Sequence, residues 1–309
     1  MSTFGIELEN NNGQVLISSN SKNLHLVAKL FAPTQVMYSE DGYGGIRILR
    51  YRVSCSLPPC PFFTMPSQSD FYGLTRITSP STGLWDIEII KSGSAANFPE
   101  VYVFAEPGAQ PEPTEEYGLA VYNEANETAF DSRLLPLVVT GGVTTNHPTN
   151  PKTSYSGTLS AQYCGSSGSG YFAPNNYNTF EVGSMPSKPM FLFTSLAQAE
   201  REATFSASEE ECDGVPDGYG GCAGAQRIYT WVSTYWAFYR GAIRRTTTSI
   251  QAGWATASYG CNWTYQKEST LIGIGTGGTS GQGGSWPYSN ETLNLGARGV
   301  VISDAAIYD

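Results

Sequence analysis

Through most of this chain apolar and polar positions alternate with a period of two. LHLVAK (Leu24–Lys29), LWDIEII (Leu84–Ile90) and VYVFAEP (Val101–Pro107) read this way, as do NTFEV and MFLFTSL between Asn175 and Thr194. The C-terminal TLNLGARGVVISDAAIYD continues the pattern. Alternation of this kind puts every second side chain on one face of a strand, and the β-branched and aromatic content suits a half-buried sheet. RIYTWVSTYWAFYRGAIRR (Arg227–Arg245) has apolar spacing compatible with a strand pair or a helix, and its Thr, Val, Trp and Tyr favour strands. SLAQAEREATFSAS (Ser195–Ser208) is different: Leu196, Ala199 and Ala203 form an apolar stripe that predicts one short helix. GIGTGGTSGQGGSWP (Gly273–Pro287) is dense in glycine and predicts a loop.

The chain begins the same way twice. A shift of 113 residues lays FGIELENNNGQVLISSN over YGLAVYNEANETAFDSR without a gap. It matches Gly5 to Gly118, Ile6 to Leu119, Leu8 to Val121, Asn10 to Asn123 and Ser19 to Ser132. Further on, Leu24 and Leu26 meet Leu137 and Val139. Each copy reads as a strand, a polar turn, a second short strand and then a third. NNNG is a strong hairpin turn, and NEANE is its looser counterpart without the glycine. Between the copies, EPGAQPEPTEE is rich in proline and acid and reads as an exposed extended linker. The expected organisation is a β domain over 1–107, a linker over 108–116 and a larger β domain over 117–309. The expected fold class is mainly β. It comprises two β-sandwich-like domains with related N-terminal hairpins, the second enlarged by a long loop-rich insertion between Gly141 and Gly284 that carries the short helix.

Composition agrees with sheets joined by polar loops. Only 14% of the 309 residues are charged, while 34 are Gly and 19 are Tyr. The net charge is -10, with 7 basic against 12 acidic residues before Tyr117 and 10 against 15 from there on. Neither part holds the basic stripe that a phosphate backbone or an anionic membrane would need, so nucleic acid is not an expected partner. No apolar run is long enough for a membrane-spanning segment, and the polar start MSTFGIELENNNG does not read as a signal peptide, so folding in a cytoplasm is expected.

Chemistry-bearing patterns are few. DGVPDGYGG (Asp213–Gly221), preceded by Glu209, Glu210 and Glu211, gathers hard oxygen atoms that suit Ca2+, with Asp213 and Asp217 as candidate ligands. It lacks the EF-hand series, and a solvated loop clamped by Cys212 and Cys222 is the alternative. CSLPPC (Cys55, Cys60) and the Cys212/Cys222 pair each fit free or buried thiols, a disulfide formed after assembly or, with neither His25 nor His147 nearby and so least favoured, a metal site. GTGGTSGQGG has no following Gly-Lys-Ser/Thr and is no phosphate loop. The two imidazoles, His25 and His147, lack a flanking nucleophile motif. A paired-carboxylate hydrolase would draw on Asp213, Asp217 and Glu181, and no enzymatic role is expected. The aromatic residues Tyr229, Trp231, Tyr235, Trp236, Trp254, Trp263 and Trp286 are candidates for a subunit interface or a glycan contact, against the alternative that they fill a core.

The segment Gly118, Leu119, Val121, Tyr122, Asn123, then Phe130, Asp131 and Ser132, followed by LPLVV, resembles minor tail, tail-tip and fibre-associated structural proteins of tailed bacteriophages. The first copy keeps Gly5, Ile6, Leu8 and Asn10 but has Ile17, Ser18 and Ser19 in place of Phe-Asp-Ser. The resemblance covers about 30 residues at the start of each half. It implies a β-rich, cofactor-free virion protein made in the host cytoplasm and placed in the tail, contributing to assembly or host-surface attachment. Its implied partners are other tail proteins, copies of itself in a ring or trimer, and a host surface glycan or protein. A carbohydrate-binding adhesin and a capsid decoration protein are the alternatives, with a glycan hydrolase behind them. In folding terms, Gly118 is expected where a side chain would obstruct a neighbour. Phe130 is expected to plug a core, and Asp131 and Ser132 to accept backbone N–H groups.

Overall fold

The computed structural model of the chain describes residues 7–9, 15–18, 22–38, 46–93, 96–109, 117–148, 153–156, 171–174, 176–193, 198–212, 215–216, 222–223, 225–272, 289–293 and 298–309. The first half opens with the hairpin β1 (Glu7–Glu9) and β2 (Val15–Ser18). It continues through β3 (His25–Leu30), β4 (Gln35–Tyr38), β5 (Ile46–Ser54) and β6 (Cys60–Thr64). It closes with β7 (Tyr72–Ser81), β8 (Leu84–Ser92) and β9 (Val101–Ala105). The second half opens with β10 (Ala120–Tyr122) and β11 (Thr128–Asp131), then β12 (Val139–Thr145), β13 (Thr153–Ser156) and β14 (Tyr171–Pro174). Next come β15 (Tyr177–Glu181), β16 (Pro189–Leu192), β17 (Gln198–Cys212), β18 (Val215–Pro216) and β19 (Cys222–Ala223). Last are β20 (Ala225–Arg245), β21 (Ser249–Ile272), β22 (Ser289–Leu293), β23 (Arg298–Asp304) and a 3-10 turn at Ala305–Ile307.

The fold is mainly β, built on two large antiparallel sheets. One has the order β12-β23-β16-β6-β9-β3, the other β15-β21-β20-β7-β8-β5-β4, with β17 and β22 added beside β20. Both draw strands from either side of the linker. Of that linker, expected over 108–116, only Gly108 and Ala109 are among the described residues.

The two halves repeat one pairing plan. β9 lies between β3 and β6, as β23 lies between β12 and β16. Likewise β8 lies between β5 and β7, as β21 lies between β15 and β20. The 113-residue repeat reaches down to individual pairs. In the first hairpin Glu7, Leu8 and Glu9 face Ser18, Ile17 and Val15; in the second Ala120, Val121 and Tyr122 face Asp131, Phe130 and Thr128. Each partner is displaced by 113, and the register shift falls at the same step. The next strand repeats this: register slips between Leu26 and Ala28 against β9, and between Val139 and Gly141 against β23. A bulge bends a strand at a fixed place, so matching bulges point to one supersecondary design used twice.

The halves meet edge to edge. β6 pairs with β16, with Phe63 opposite Phe191, and β7 touches β20 where Tyr72 faces Ile243. One cluster of buried residues lies between the sheets. Tyr51, Leu74, Ile89, Ile243 and Ala252 come from one sheet, and Phe63, Val103, Phe191, Val300 and Ile302 from the other. Alternate residues of the six-stranded sheet, Phe62, Tyr102, Phe104 and Met190, enter a second cluster around Ala305 and Tyr308. That sheet curls until its edges meet: the Leu26 N–H donates to the Leu135 carbonyl (2.8 Å) and the Leu137 N–H to the Leu24 carbonyl (2.7 Å). Closure of this kind removes bare strand edge. The Tyr308 hydroxyl locks it, accepting from the Val138 N–H (2.7 Å) and donating to the Pro136 carbonyl (3.1 Å).

Two expectations are corrected. The helix expected over Ser195–Ser208 is strand from Gln198 onward, because β17 pairs with β20 along its whole length. The three-residue stripe that suggested a helix is weaker than the period-two pattern running through it: Ala199, Ala203, Phe205 and Ala207 alternate with Glu200, Glu202, Thr204, Ser206 and Ser208. Tertiary pairing overrides local helix propensity there. The insertion expected to be loop-rich contains the longest strands of the described residues, β17, β20 and β21. Arg227–Arg245 lies within a single strand rather than a strand pair.

Candidate functional site

The feature that sets the second half apart is a long ribbon. β7 and β8 span 10 and 9 residues, while their counterparts β20 and β21 span 21 and 24. Only the near end of β21 pairs with β15, from Ser249 to Gly253. Beyond it β20 is flanked by β17 on one side and β21 on the other, from Gln226 to Phe238. At about 3.3 Å per residue this three-stranded stretch runs roughly 40 Å.

The root of the ribbon is anchored in the body. Tyr239, Ala242, Ile243, Ile250, Ala252, Trp254 and Ala255 are all buried. Trp254 donates its indole N–H to the Pro148 carbonyl (3.1 Å), and its ring lies 5.2 Å from that of His147. His147 also lies 5.7 Å from Phe193. The Arg244 guanidinium sits over the rings of Phe71 (4.7 Å) and Tyr177 (4.5 Å) while donating to Gln251 Oε1 (2.6 Å). Lys91, fully buried, pairs with Asp70 at 2.8 Å beside Tyr72. An isolated buried ammonium is costly, so this pair fixes the junction where β7 meets β20.

Register sorts the aromatic candidates. Successive strand positions alternate between sheet faces. Tyr229, Trp231 and Tyr235 therefore share one face of β20, along with the positions facing them on β21: Tyr265 opposite Trp231, Trp263 opposite Ser233 and Tyr259 opposite Ala237. Phe205 of β17 joins them opposite Ser233. The opposite face takes Thr230, Val232, Thr234 and Trp236 from β20, and Glu200, Glu202, Thr204, Ser206 and Ser208 from β17. So four of the seven candidates, Tyr229, Trp231, Tyr235 and Trp263, fall together. Trp236 falls on the other face. Trp254 is a fully buried root residue, and Trp286 lies outside the described residues. At the root both parities of β20 are buried, Tyr239 and Ile243 on one and Ala242 on the other. Tyr259, Tyr265 and Phe205 were not singled out from the sequence, because their kinship with Trp231 is a matter of cross-strand register.

The candidate metal ligands Asp213 and Asp217 lie outside the described residues. Among the described residues no group of three His, Cys, Asp or Glu is placed to hold a metal ion. Cys55 and Cys60 are free thiols: Cys55 donates to the Leu57 carbonyl (3.1 Å), and burial pushes the Cys60 thiol up. Glu181 is exposed at the end of β15. Both histidines are buried. His25 lies under the second hairpin, 6.0 Å from the Phe130 ring, and burial lowers its pKa below the ordinary 6.5, against the opposing pull of Asp131.

The second hairpin itself is now explained residue by residue. A Cβ on Gly118 would lie 2.5 Å from Arg133 Cγ, so glycine there leaves room for the Arg133 side chain, which pairs with Asp131 at 2.6 Å. Phe130 is buried against His25. Asp131 accepts the Arg133 N–H (3.0 Å), and Ser132 accepts the Leu119 N–H (2.8 Å) from the facing strand. Asn126, at φ 60, makes a positive-φ bend, and the residue 113 positions earlier in the sequence is Gly13.

A polar cluster pins the C-terminus. Lys188 reaches Glu100 (2.6 Å), Asp309 (2.8 Å) and the Tyr102 hydroxyl (3.1 Å), and Tyr102 donates to Asp309 (2.7 Å). Burial works against the Lys188 charge but is outweighed by these three hydrogen bonds, so its pKa rises, while Lys188 holds the Asp309 carboxyl below the usual range. All its members serve one another, which marks it as a structural clasp.

Among the described residues no helix is long and apolar enough to cross a membrane. No family model, curated protein or solved structure matches the chain.

Proposed function

We propose that this is a virion structural protein of a tailed bacteriophage, placed at the tail tip or distal tail, working through assembly or host-surface attachment rather than catalysis. The observation that carries the reading is the division of labour within the chain. Two halves of one pairing plan form a body, and in the second half β20 and β21 run to more than twice the length of their counterparts, over a sequence rich in Trp and Tyr. A strand pair of that length suits contact with a large neighbour rather than a small substrate. In this reading the halves are two β-sandwich-like units fused edge to edge, and the partners are other tail proteins and copies of the chain. The family resemblance of Gly118–Ser132 supports the same reading, as does the acidic, weakly charged composition. Negative-stain microscopy of source particles with a labelled antibody against the chain tests it. Label at the distal tail is expected. Label on the head, or particles that carry none, would contradict it and favour the capsid decoration or free adhesin alternatives.

A further inference from the structure

We infer that Lys91 and Asp70 condense into a side-chain amide, a covalent cross-link between the end of β8 and the approach to β7 that forms once the chain has folded. The inference concerns the chain's own chemistry and does not depend on the virion reading.

The strand register brings the two groups together. Tyr72 of β7 lies opposite Lys91 of β8, and Asp70, two residues before Tyr72, stands diagonal to the lysine. The backbone around the pair is pinned. The Phe71 N–H donates to the Ser92 hydroxyl (2.7 Å), the Ser92 N–H to the Phe71 carbonyl (2.9 Å), and the Asp70 N–H to the Ser67 hydroxyl (3.3 Å). Gly93, at φ 85, gives the carboxyl its place: a Cβ there would overlap Asp70 Oδ1. Lys91 Nζ is thereby held 2.8 Å from Asp70 Oδ2, with the lysine side chain fully buried and that of Asp70 13% exposed. The contact lacks hydrogen-bond geometry, since Oδ2 is buried without a hydrogen-bond partner. Lys91 donates instead toward the Gly93 carbonyl (3.4 Å). Nitrogen and carboxyl are thus pressed together with no directed hydrogen bond between them.

Tyr72 completes the site. Its hydroxyl is buried beside Asp70 without a hydrogen-bond partner, and Lys91 Nζ lies 5.9 Å from its ring centre. Its pKa is raised, by burial above all and next by the Asp70 carboxylate, so it stays protonated. The reaction balances within the pair. One ammonium proton passes to the carboxylate, and the amine nitrogen then bonds to Cγ. A second nitrogen proton reaches the departing oxygen, relayed by the Tyr72 hydroxyl, and the Cγ–O bond breaks to release water. No oxidant and no activated carboxyl is consumed. Two effects favour the bond. Held in contact, amine and acid react as one molecule rather than two. A neutral amide is also far cheaper to bury than an ammonium and a carboxylate, and the exposed edge of Asp70 gives the water a way out. The ion pair is the state before the bond forms. The cross-link closes the loop 70–91 where Tyr72 meets Ile243 of β20, and constrains the unfolded chain as a disulfide would.

Intact-mass measurement on the folded, purified full chain, then denatured, tests this. The wild type is expected one water lighter than its sequence. Trypsin should then yield peptide 53–76 joined to peptide 77–133, with the cut at Lys91 missing. Lys91→Arg keeps a cation and removes the amine nucleophile, and Asp70→Ala removes the acceptor; both are expected at full sequence mass. Tyr72→Phe is expected to lower the linked fraction. A wild-type chain at full sequence mass overturns the inference. So does a loss of water that persists in Lys91→Arg, or one without the joined peptides, as a succinimide elsewhere would give. A linked fraction undiminished in Tyr72→Phe overturns the proton relay.

Discussion

The two halves share the order of their main strand pairings, the bulge in β3 and β12 and even the step at which each opening hairpin shifts register, yet they differ where β7 and β8 correspond to β20 and β21. In the first half that hairpin ends with the body. In the second it more than doubles in length and recruits β17. A repeat kept in its pairings and broken in one element separates what the fold requires from what is added to it. Pairing order and bulges set the curl of the six-stranded sheet and the shared core, and they occur in both halves. The ribbon enters that core at its root through Ile243, Ile250 and Ala252, and its added length is what distinguishes the second half.

Substitutions can sharpen this contrast. The largest effect is expected where the halves meet. Phe191→Ala removes a fully buried ring facing Phe63 and should cost about 3–5 kcal/mol in urea unfolding. If the halves were only loosely apposed, the loss would be small. At the second contact between halves, Lys91→Met leaves Asp70 without its cation and should cost about 3 kcal/mol. Smaller again, Tyr308→Phe removes the hydroxyl that serves both Val138 and Pro136 and should cost about 1–2 kcal/mol, with faster amide exchange at Val138.

The smallest effect is a pH dependence that distinguishes one half's closure from the other's. His25 occupies the place that Val138 takes in the second half, and only the first can titrate. Its folded pKa is depressed by burial, so the unfolded chain binds the proton more readily. Stability from this site is full above about 6.5 and declines as the pH falls through the interval down to the lower folded value. Thermal melting between pH 7.5 and 5 should show that decline in the wild type and a shallower one in His25→Leu. Asp131, held low by Arg133, also acts in the acid direction, losing its contribution only as the pH drops through its depressed folded value. An identical slope in both proteins would remove His25 from the account.

Much of this was legible in the residues. Period-two alternation with aromatic and β-branched content located β3, β8, β9, β15 and β16, although β9 is buried at all five positions and β8 at six in a row, so both their faces are covered rather than one. The 113-residue repeat was visible from a handful of matches such as Gly5 with Gly118 and Leu8 with Val121, and the hairpin roles of Phe130, Asp131 and Ser132 followed from their chemistry. The ribbon was not legible. β17 mixes Ala, Glu and Ser, residues that carry helix propensity, and only its partner β20 makes it a strand. The edge-to-edge union of the halves depends on single pairs such as Phe63 with Phe191, separated by most of the chain, and no local pattern encodes that. Aromatic density drew attention to Tyr229–Tyr239, but density alone could not divide Trp231 from Trp236 or both from the buried Trp254. Register could.

The central claim is that the body stands by itself and the ribbon is an addition to it. A chain in which residues 203–235 are replaced by Asn-Gly and residues 261–288 by a short Gly/Ser segment keeps the root and loses the rest of the ribbon. Urea unfolding beside the full chain is the most direct measurement. The shortened chain is expected to unfold in one cooperative transition with most of the full chain's stability. A shortened chain that fails to fold, or that loses most of that stability, would contradict the claim.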